Sequence, residues 1–204
     1  MTSGKRLLKF RCTGCGNCCR DPLLPLTDRD LQRIVERTGH SPSELVRFVS
    51  RHEIDMDDEP QAFVRLRQGK RVMVLGHRRG ACRFLGEDAR CNIYSFRPLG
   101  CRIFPFDPKF SETGALKRLR LIQATDCRYE LDGKNYVPVI RELHARHQRE
   151  TEGYHTRIAD WNRLQKERLR AGSAAQHAAE FLGFLGFRGS AETKREPPPQ
   201  SRFV

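Results

Sequence analysis

Residues 12–19 read Cys12-Thr13-Gly14-Cys15-Gly16-Asn17-Cys18-Cys19 and hold four of the eight cysteines of this 204-residue chain. The other four cysteines come later and one at a time, as Cys82, Cys91, Cys101 and Cys127. A dense cluster followed by scattered partners is typical of a metal site assembled from distant segments. The sequence therefore predicts that these eight thiols bind metal and organise the fold around it.

The spacing within the cluster favours a tight loop. Gly14 and Gly16 separate the first three cysteines, and glycine reaches positive φ without a Cβ clash. A sharp turn at each glycine would point these three thiols toward a common centre. Cys19 follows Cys18 directly, and adjacent side chains diverge. We therefore expect these two thiols to serve different metals, or different irons of one cluster.

Thiolate ligands select zinc or iron–sulfur clusters. The spacing C-x2-C-x2-C is also the first part of the ferredoxin motif C-x2-C-x2-C-x3-C-P. An iron–sulfur cluster is therefore the first expectation, and zinc is the alternative. The chain departs from that run because Cys19 follows at once and no Cys-Pro occurs. Residues 1–10 contain no apolar segment typical of a secretion signal, which disfavours disulfides and predicts a cytoplasmic protein. Buried free thiols fit less well, because four cysteines in eight residues between glycines is not a core pattern. A catalytic dithiol also fits less well, because no thioredoxin-like pattern surrounds the loop.

Eight thiols suffice for two four-thiolate sites, and the sequence suggests one division of them. The first predicted site contains Cys12, Cys15, Cys18 and Cys101. The second predicted site contains Cys19, Cys82, Cys91 and Cys127.

A second functional stretch surrounds Cys101 and reads Arg97-Pro98-Leu99-Gly100-Cys101-Arg102-Ile103-Phe104-Pro105. Arg97 and Arg102 flank the cysteine and are the candidates for contacting a cofactor. An arginine there can lower a thiolate pKa or donate hydrogen bonds to sulfur. Pairing of either arginine with an acidic residue is the alternative.

These motifs resemble the YkgJ-like cysteine-cluster proteins, described as a zinc- or iron-chelating domain. The resemblance covers C-x2-C-x2-C-C, Cys82-x8-Cys91, the segment around Cys101, and Asp30 in a T-x-x-D segment. It spans about residues 10–127 and implies metal chelation. One branch of the family resembles flagellin lysine N-methylase, so an iron–sulfur-dependent methylase-like enzyme is a second hypothesis. The sequence contains no strand–G-x-G-x-x-G–helix unit that would bind S-adenosylmethionine. It therefore leaves open whether the protein is an enzyme.

The chain has a formal net charge of +13, which suits an acidic partner such as nucleic acid or an acidic protein. A basic zinc protein that binds nucleic acid is therefore a third hypothesis. It lacks an RNP motif and a zinc-finger histidine pair, and a solvated basic surface is the commoner origin of such a charge. The sequence shows no transmembrane segment and leaves any protein partner unidentified.

Local patterns predict an α+β fold, with short helices and a small antiparallel sheet in a cysteine-rich domain followed by C-terminal helices. Thr27 should cap one helix, and Ser41-Pro42 should start another whose apolar face runs to Val49. Residues 63–66 and 72–75 should form a hairpin, residues 116–122 a strand, and residues 138–169 a helix. We expect the metal-binding domain at 1–135, the helical extension at 136–187 and a disordered tail at 188–204.

Overall fold

Helix α1 (Asp28–Thr38) begins where the sequence predicts, in a computed structural model that describes residues 6–20, 22–123 and 126–187. Thr27 Oγ1 accepts a hydrogen bond from the Asp30 amide at 3.1 Å, and Asp30 Oδ2 accepts one from the Thr27 amide at 3.4 Å. This reciprocal capping box satisfies two amides that a helix N-terminus leaves free. Gly39 ends the helix at a φ of 68°.

The segment after Ser41 differs from the sequence prediction. Helix α2 covers only Pro42–Leu45, and the chain continues as strand β2 (Val46–Val49). The prediction that the apolar face of a helix runs on to Val49 is therefore wrong. β-branched side chains pack well on a pleated surface, and here Val46 and Val49 lie opposite Leu75 and Val72 of a neighbouring strand.

The central sheet has three antiparallel strands in the order β2–β4–β3. Strands β3 (Val64–Leu66) and β4 (Gly69–Leu75) form the predicted hairpin. Apolar residues of β4 are buried against helix α1 and the C-terminal helices. Helix α1 and the C-terminal helices therefore pack on this sheet.

Three smaller two-stranded ribbons are also described, and two of them contain a cysteine, Cys12 or Cys82. Their members are β1 (Arg11–Cys12) with β9 (Tyr129–Glu130), β5 (His77–Arg78) with β6 (Ala81–Cys82), and β7 (Phe106–Phe110) with β8 (Leu116–Leu121). Strand β8 confirms the predicted strand. Between the ribbons lies helix α3 (Leu99–Ile103), which carries Cys101.

The C-terminal part consists of the predicted long helix α4 (Val137–Arg170) and a short helix α5 (Ala178–Phe184). Trp161 donates its indole N–H to the Arg65 carbonyl at 2.8 Å, and Asn162 accepts the Arg65 amide at 2.6 Å. Trp161 and Phe181 belong to the same buried cluster as the sheet. Mixed helices and small antiparallel sheets confirm the predicted α+β class. The predicted tail at 188–204 lies outside the described residues.

Across the described residues, none of the helices combines the length and the apolar character needed to cross a bilayer.

Candidate metal centre

The cysteine loop adopts the predicted sharp turns at its two glycines. Gly14 and Gly16 both have a φ of 72°, a conformation that side chains with a Cβ rarely adopt. The Gly14 amide donates to Cys12 Sγ at 3.4 Å. A Cβ on Gly16 would lie 3.0 Å from the Ala89 carbonyl oxygen, so this glycine also lets the loop pack on the turn between Cys82 and Cys91.

Two side chains of the loop attach it to a distant segment. Thr13 Oγ1 donates to the Arg128 carbonyl at 2.9 Å, and Asn17 Nδ2 donates to the Asp126 carbonyl at 2.7 Å. Strand β1 pairs with β9 next to them, with Cys12 opposite Tyr129. These contacts bring Cys127 to the loop from more than a hundred residues away.

Cys127 joins the first part of the cysteine loop. Its thiol lies in hydrogen-bonding contact with Cys15, and it interacts with Cys12 and Cys18. Burial and these neighbouring thiols raise the pKa of Cys127 to about 11. We call Cys12, Cys15, Cys18 and Cys127 the outer group.

The remaining thiols gather around Cys19. The Cys19 thiol contacts Cys18 and Cys82 and interacts with Cys91. Cys101 in turn interacts with Cys19 and Cys91 and, more weakly, with Cys18, which also acts on Cys91. We call Cys19, Cys82, Cys91 and Cys101 the inner group, and the Cys18–Cys19 contact joins the two groups.

Cys82 and Cys91 are held by a short turn of the chain. Cys82 ends strand β6, and Cys91 forms an isolated bridge with Leu85. The Gly86 amide donates to the Arg90 carbonyl at 2.7 Å, which confirms the predicted turn between the two cysteines.

The protonation behaviour of the inner group follows from these contacts. Burial raises the pKa of Cys91 and Cys101, and the hydrogen bond from Cys19 lowers the pKa of Cys82. The largest single effect on Cys19 is its hydrogen bond with Cys18, which lowers the pKa of Cys19. The hydrogen bond with Cys82 and burial together outweigh it, so the pKa of Cys19 rises to about 11. Thiols of this kind release protons when a cation binds.

Helix α3 places Cys101, and Asp30 holds that helix. Asp30 is only 2% exposed, and its Oδ1 accepts the Leu99 amide at 2.9 Å. One carboxylate thus caps helix α1 and anchors the first turn of α3. Sequence reasoning assigned Asp30 to the first role and missed the second, although a capping residue that is also part of a cysteine-family motif was a signal.

The two candidate arginines have different surroundings. Arg97 lies beside the thiols, and its positive charge acts to lower the pKa of Cys18, Cys91 and Cys101. Burial acts in the opposite direction, and the pKa of each of these thiols is raised overall. The Arg97 guanidinium stacks on Tyr94, with the guanidinium carbon 4.0 Å from the centre of the ring. Its buried Nε has no hydrogen-bond partner among the described residues. Arg102 is exposed and lines a different depression, beside Ile103 and Tyr136.

The donor set suits a thiolate-bound metal. Eight thiols lie in two neighbouring groups, a guanidinium faces three of them, and a buried N–H beside them lacks an acceptor. Within the described parts of the chain, however, no three cysteine, histidine or carboxylate groups are already arranged as ligands of a single ion. Ion binding would therefore draw the thiols of each group together.

Comparison with known proteins gives one match. The family model "CxxCxxCC: Putative zinc- or iron-chelating domain" covers residues 11–119, which include seven of the eight cysteines and both candidate arginines. No curated protein and no solved structure matches the chain.

Proposed function

We propose that this chain, which belongs to the CxxCxxCC family, holds an iron–sulfur centre through its eight cysteines and supports redox or other metal-dependent chemistry. The observation that carries the proposal is that the eight thiols form one connected set, in which Cys18 contacts Cys19 and also acts on Cys91, Cys101 and Cys127. Soft thiolates in this number suit iron–sulfur clusters and zinc better than harder metals. Zinc is the competing occupant.

The grouping suggests two four-thiolate sites. The outer group would supply one site and the inner group the other. Relative to the pairing expected from the sequence, Cys101 and Cys127 exchange places. Cys127 contacts Cys15, and Cys101 interacts more strongly with Cys19 and Cys91 than with Cys18, its partner in the sequence-derived pairing. Cys18 and Cys19 are assigned to different sites, although their thiols contact each other instead of diverging as the sequence predicted.

Arg97 supports binding of a thiolate-ligated centre beside Cys18, Cys91 and Cys101. Its buried Nε lacks an acceptor among the described residues, and hydrogen bonds to the sulfurs are one means by which proteins tune iron–sulfur clusters. The guanidinium charge also offsets the negative charge of nearby thiolates. When bound, such a cluster supplies one-electron transfer, and the chain's own residues would ligate it, neutralise its charge and restrict its exposure to water.

Protein purified without oxygen should be coloured, with a broad visible absorption from thiolate-to-iron charge transfer. Iron and acid-labile sulfide should be present in stoichiometric amounts. The measurement is an absorption spectrum with iron, zinc and sulfide analysis on the same sample, and protein treated with a chelator is the control. A colourless protein with stoichiometric zinc would exclude the iron–sulfur centre and replace it with a zinc site.

Arg97→Gln should weaken retention of the metal by roughly 10–100-fold, the range found for residues that contact metal ligands. The reason is that ionised Cys18, Cys91 and Cys101 lose their neighbouring positive charge. The measurement is competition against a chelator on folded protein. Arg102→Gln is the matched control, because Arg102 follows Cys101 in helix α3 but is exposed and lines the depression beside Ile103 and Tyr136. Equal losses in the two variants would contradict a role specific to Arg97.

A further inference from the structure

A second concave feature lies behind the helix that carries Cys101. It is a cavity of about 340 Å³ between helix α4, the start of helix α1 and the segment 100–108. Ligand pockets in proteins span roughly 300–1,000 Å³, so this cavity has room for one small molecule. Its apolar walls are formed by Leu24, Leu26, Ile103, Phe104 and Phe106.

Polar side chains of helix α4 form a stripe along one wall of the cavity. The stripe consists of His144, His147, Thr151, Tyr154 and His155. Tyr154 is only 4% exposed, and its hydroxyl has no hydrogen-bond partner among the described residues. A buried hydroxyl without a partner costs free energy, so an occupant that bonds to it would be stabilised.

The imidazoles of His144 and His155 contribute hydrogen-bonding capacity rather than charge. Burial lowers the pKa of His144 and of His155, which outweighs the opposite influence of Asp107 and Glu59. Both rings are therefore largely neutral near pH 7.

The positive charge lies instead at the His144 end. Asp107, Pro108 and His144 line both the cavity and an adjoining depression. That depression also contains the cations Lys109, Arg118 and Arg141. Arg118 lies 3.5 Å from Asp107, which leaves two cations in excess of the local carboxylate. The mouth of the cavity therefore favours an anion.

We propose that the cavity binds an elongated apolar carboxylic acid, with its carboxylate at the basic mouth and a hydroxyl or carbonyl group at the Tyr154 end. Tyr154 follows His144 by ten positions, which corresponds to about 15 Å along a helix with a rise of about 1.5 Å per residue. A saturated twelve-carbon chain is of about this length. The apolar walls enclose the body of such a molecule, while each end meets the group that suits it.

The site adjoins the cysteine cluster without depending on it. Gly100 lines the cavity and Cys101 follows it in helix α3. An occupant would thus lie against the helix that carries a thiol of the inner group. Because the proposal concerns direct binding, it stands or fails whichever metal the cysteines hold.

Isothermal titration of the full chain, purified without oxygen, tests the proposal with ω-hydroxydodecanoate, dodecanoate, dodecanol and dodecylamine below their micelle concentrations. We expect the hydroxy acid to bind most tightly and dodecanoate about tenfold more weakly, since one hydrogen bond is worth about a factor of ten. Dodecanol should be weaker than dodecanoate, and dodecylamine should bind least.

Two variants separate the two ends of the site. Tyr154→Phe should reduce the affinity for the hydroxy acid to that for dodecanoate and leave dodecanoate itself unchanged. Lys109→Ala should weaken both acids about tenfold and leave dodecanol unchanged. Lys117→Ala is the matched control, because Lys117 is an exposed cation on β8 that lines neither depression as described.

Three results would overturn the assignment. They are no acid binding by folded protein, tighter binding of the amine than of the acids, and affinities for the acids that neither Tyr154→Phe nor Lys109→Ala changes. Lys109 is exposed on strand β7, so Lys109→Ala is expected to fold. It therefore keeps the test decisive if Tyr154→Phe does not fold.

Discussion

Asp30→Ala is expected to lower the free energy of unfolding by about 3 kcal/mol, the combined cost of an unsatisfied buried amide and a lost helix cap. The Asp30 carboxylate accepts hydrogen bonds from the Leu99 amide, from Thr27 and from Arg33. Arg33 keeps a second partner in Glu150, with Nη1 2.8 Å from Oε2. The Leu99 amide has Asp30 as its partner at the start of helix α3, so this contact accounts for much of the expected loss.

The same variant should disturb the metal centre. Helix α3 carries Cys101, and without its anchor the thiol would be held less firmly against Cys19 and Cys91. We expect folded Asp30→Ala protein to release metal to a chelator faster than the natural chain. Urea unfolding gives the stability, and metal analysis of the folded fraction gives the retention.

Glu44→Ala provides the matched control. Glu44 completes a second capping box with Ser41, at the start of helix α2, but it is exposed, and the charged groups that act on it are His40 and Arg83. Its replacement should change stability little and leave metal retention unchanged. If Asp30→Ala proved as mild as Glu44→Ala, the proposed link between helix α1 and Cys101 would be wrong.

The parts of the fold that sequence reasoning predicted are those specified by local signals. Thr27 and Asp30 lie three residues apart and define the start of helix α1 by themselves. The β3–β4 hairpin likewise depends on a short turn between two apolar runs. Strand β2 was missed because its helical start is real, and only pairing with Val72–Leu75 in the finished sheet turns Val46–Val49 into a strand.

The candidate site shows the same division. The glycine turns of the cysteine loop follow from spacing and were predicted. The partner of that loop was not predictable from spacing, because it depends on Thr13 and Asn17 reaching the carbonyls of Arg128 and Asp126. Side chain to backbone contacts across more than a hundred residues leave no periodic trace in the sequence. Cys127 therefore lies beside Cys15, which the sequence pairing placed in the other site, whereas Cys101 has its predicted partner Cys18 among its neighbours together with Cys19 and Cys91.

Two crosswise double variants should distinguish the two groupings by metal content. In folded, oxygen-free protein, Cys19→Ser/Cys101→Ser should retain about half of the metal, because both thiols belong to the inner group and serine oxygen holds soft metals poorly. Cys19→Ser/Cys127→Ser should lose nearly all of it, because it removes one ligand from each group. Each single Cys→Ser variant should lose about half of the metal. The losses of two single variants should add when the cysteines belong to different groups and should not add when they belong to the same group.

The pairing derived from sequence alone predicts the reverse. It places Cys101 with Cys12 and Cys127 with Cys19, so Cys19→Ser/Cys101→Ser would lose nearly all metal and Cys19→Ser/Cys127→Ser about half. Metal analysis beside a circular dichroism spectrum separates ligand loss from unfolding, which matters because metal binding and folding are coupled in such sites. If folded single variants each lost all their metal, the eight thiols would form one shared centre, with the Cys18–Cys19 contact at its middle.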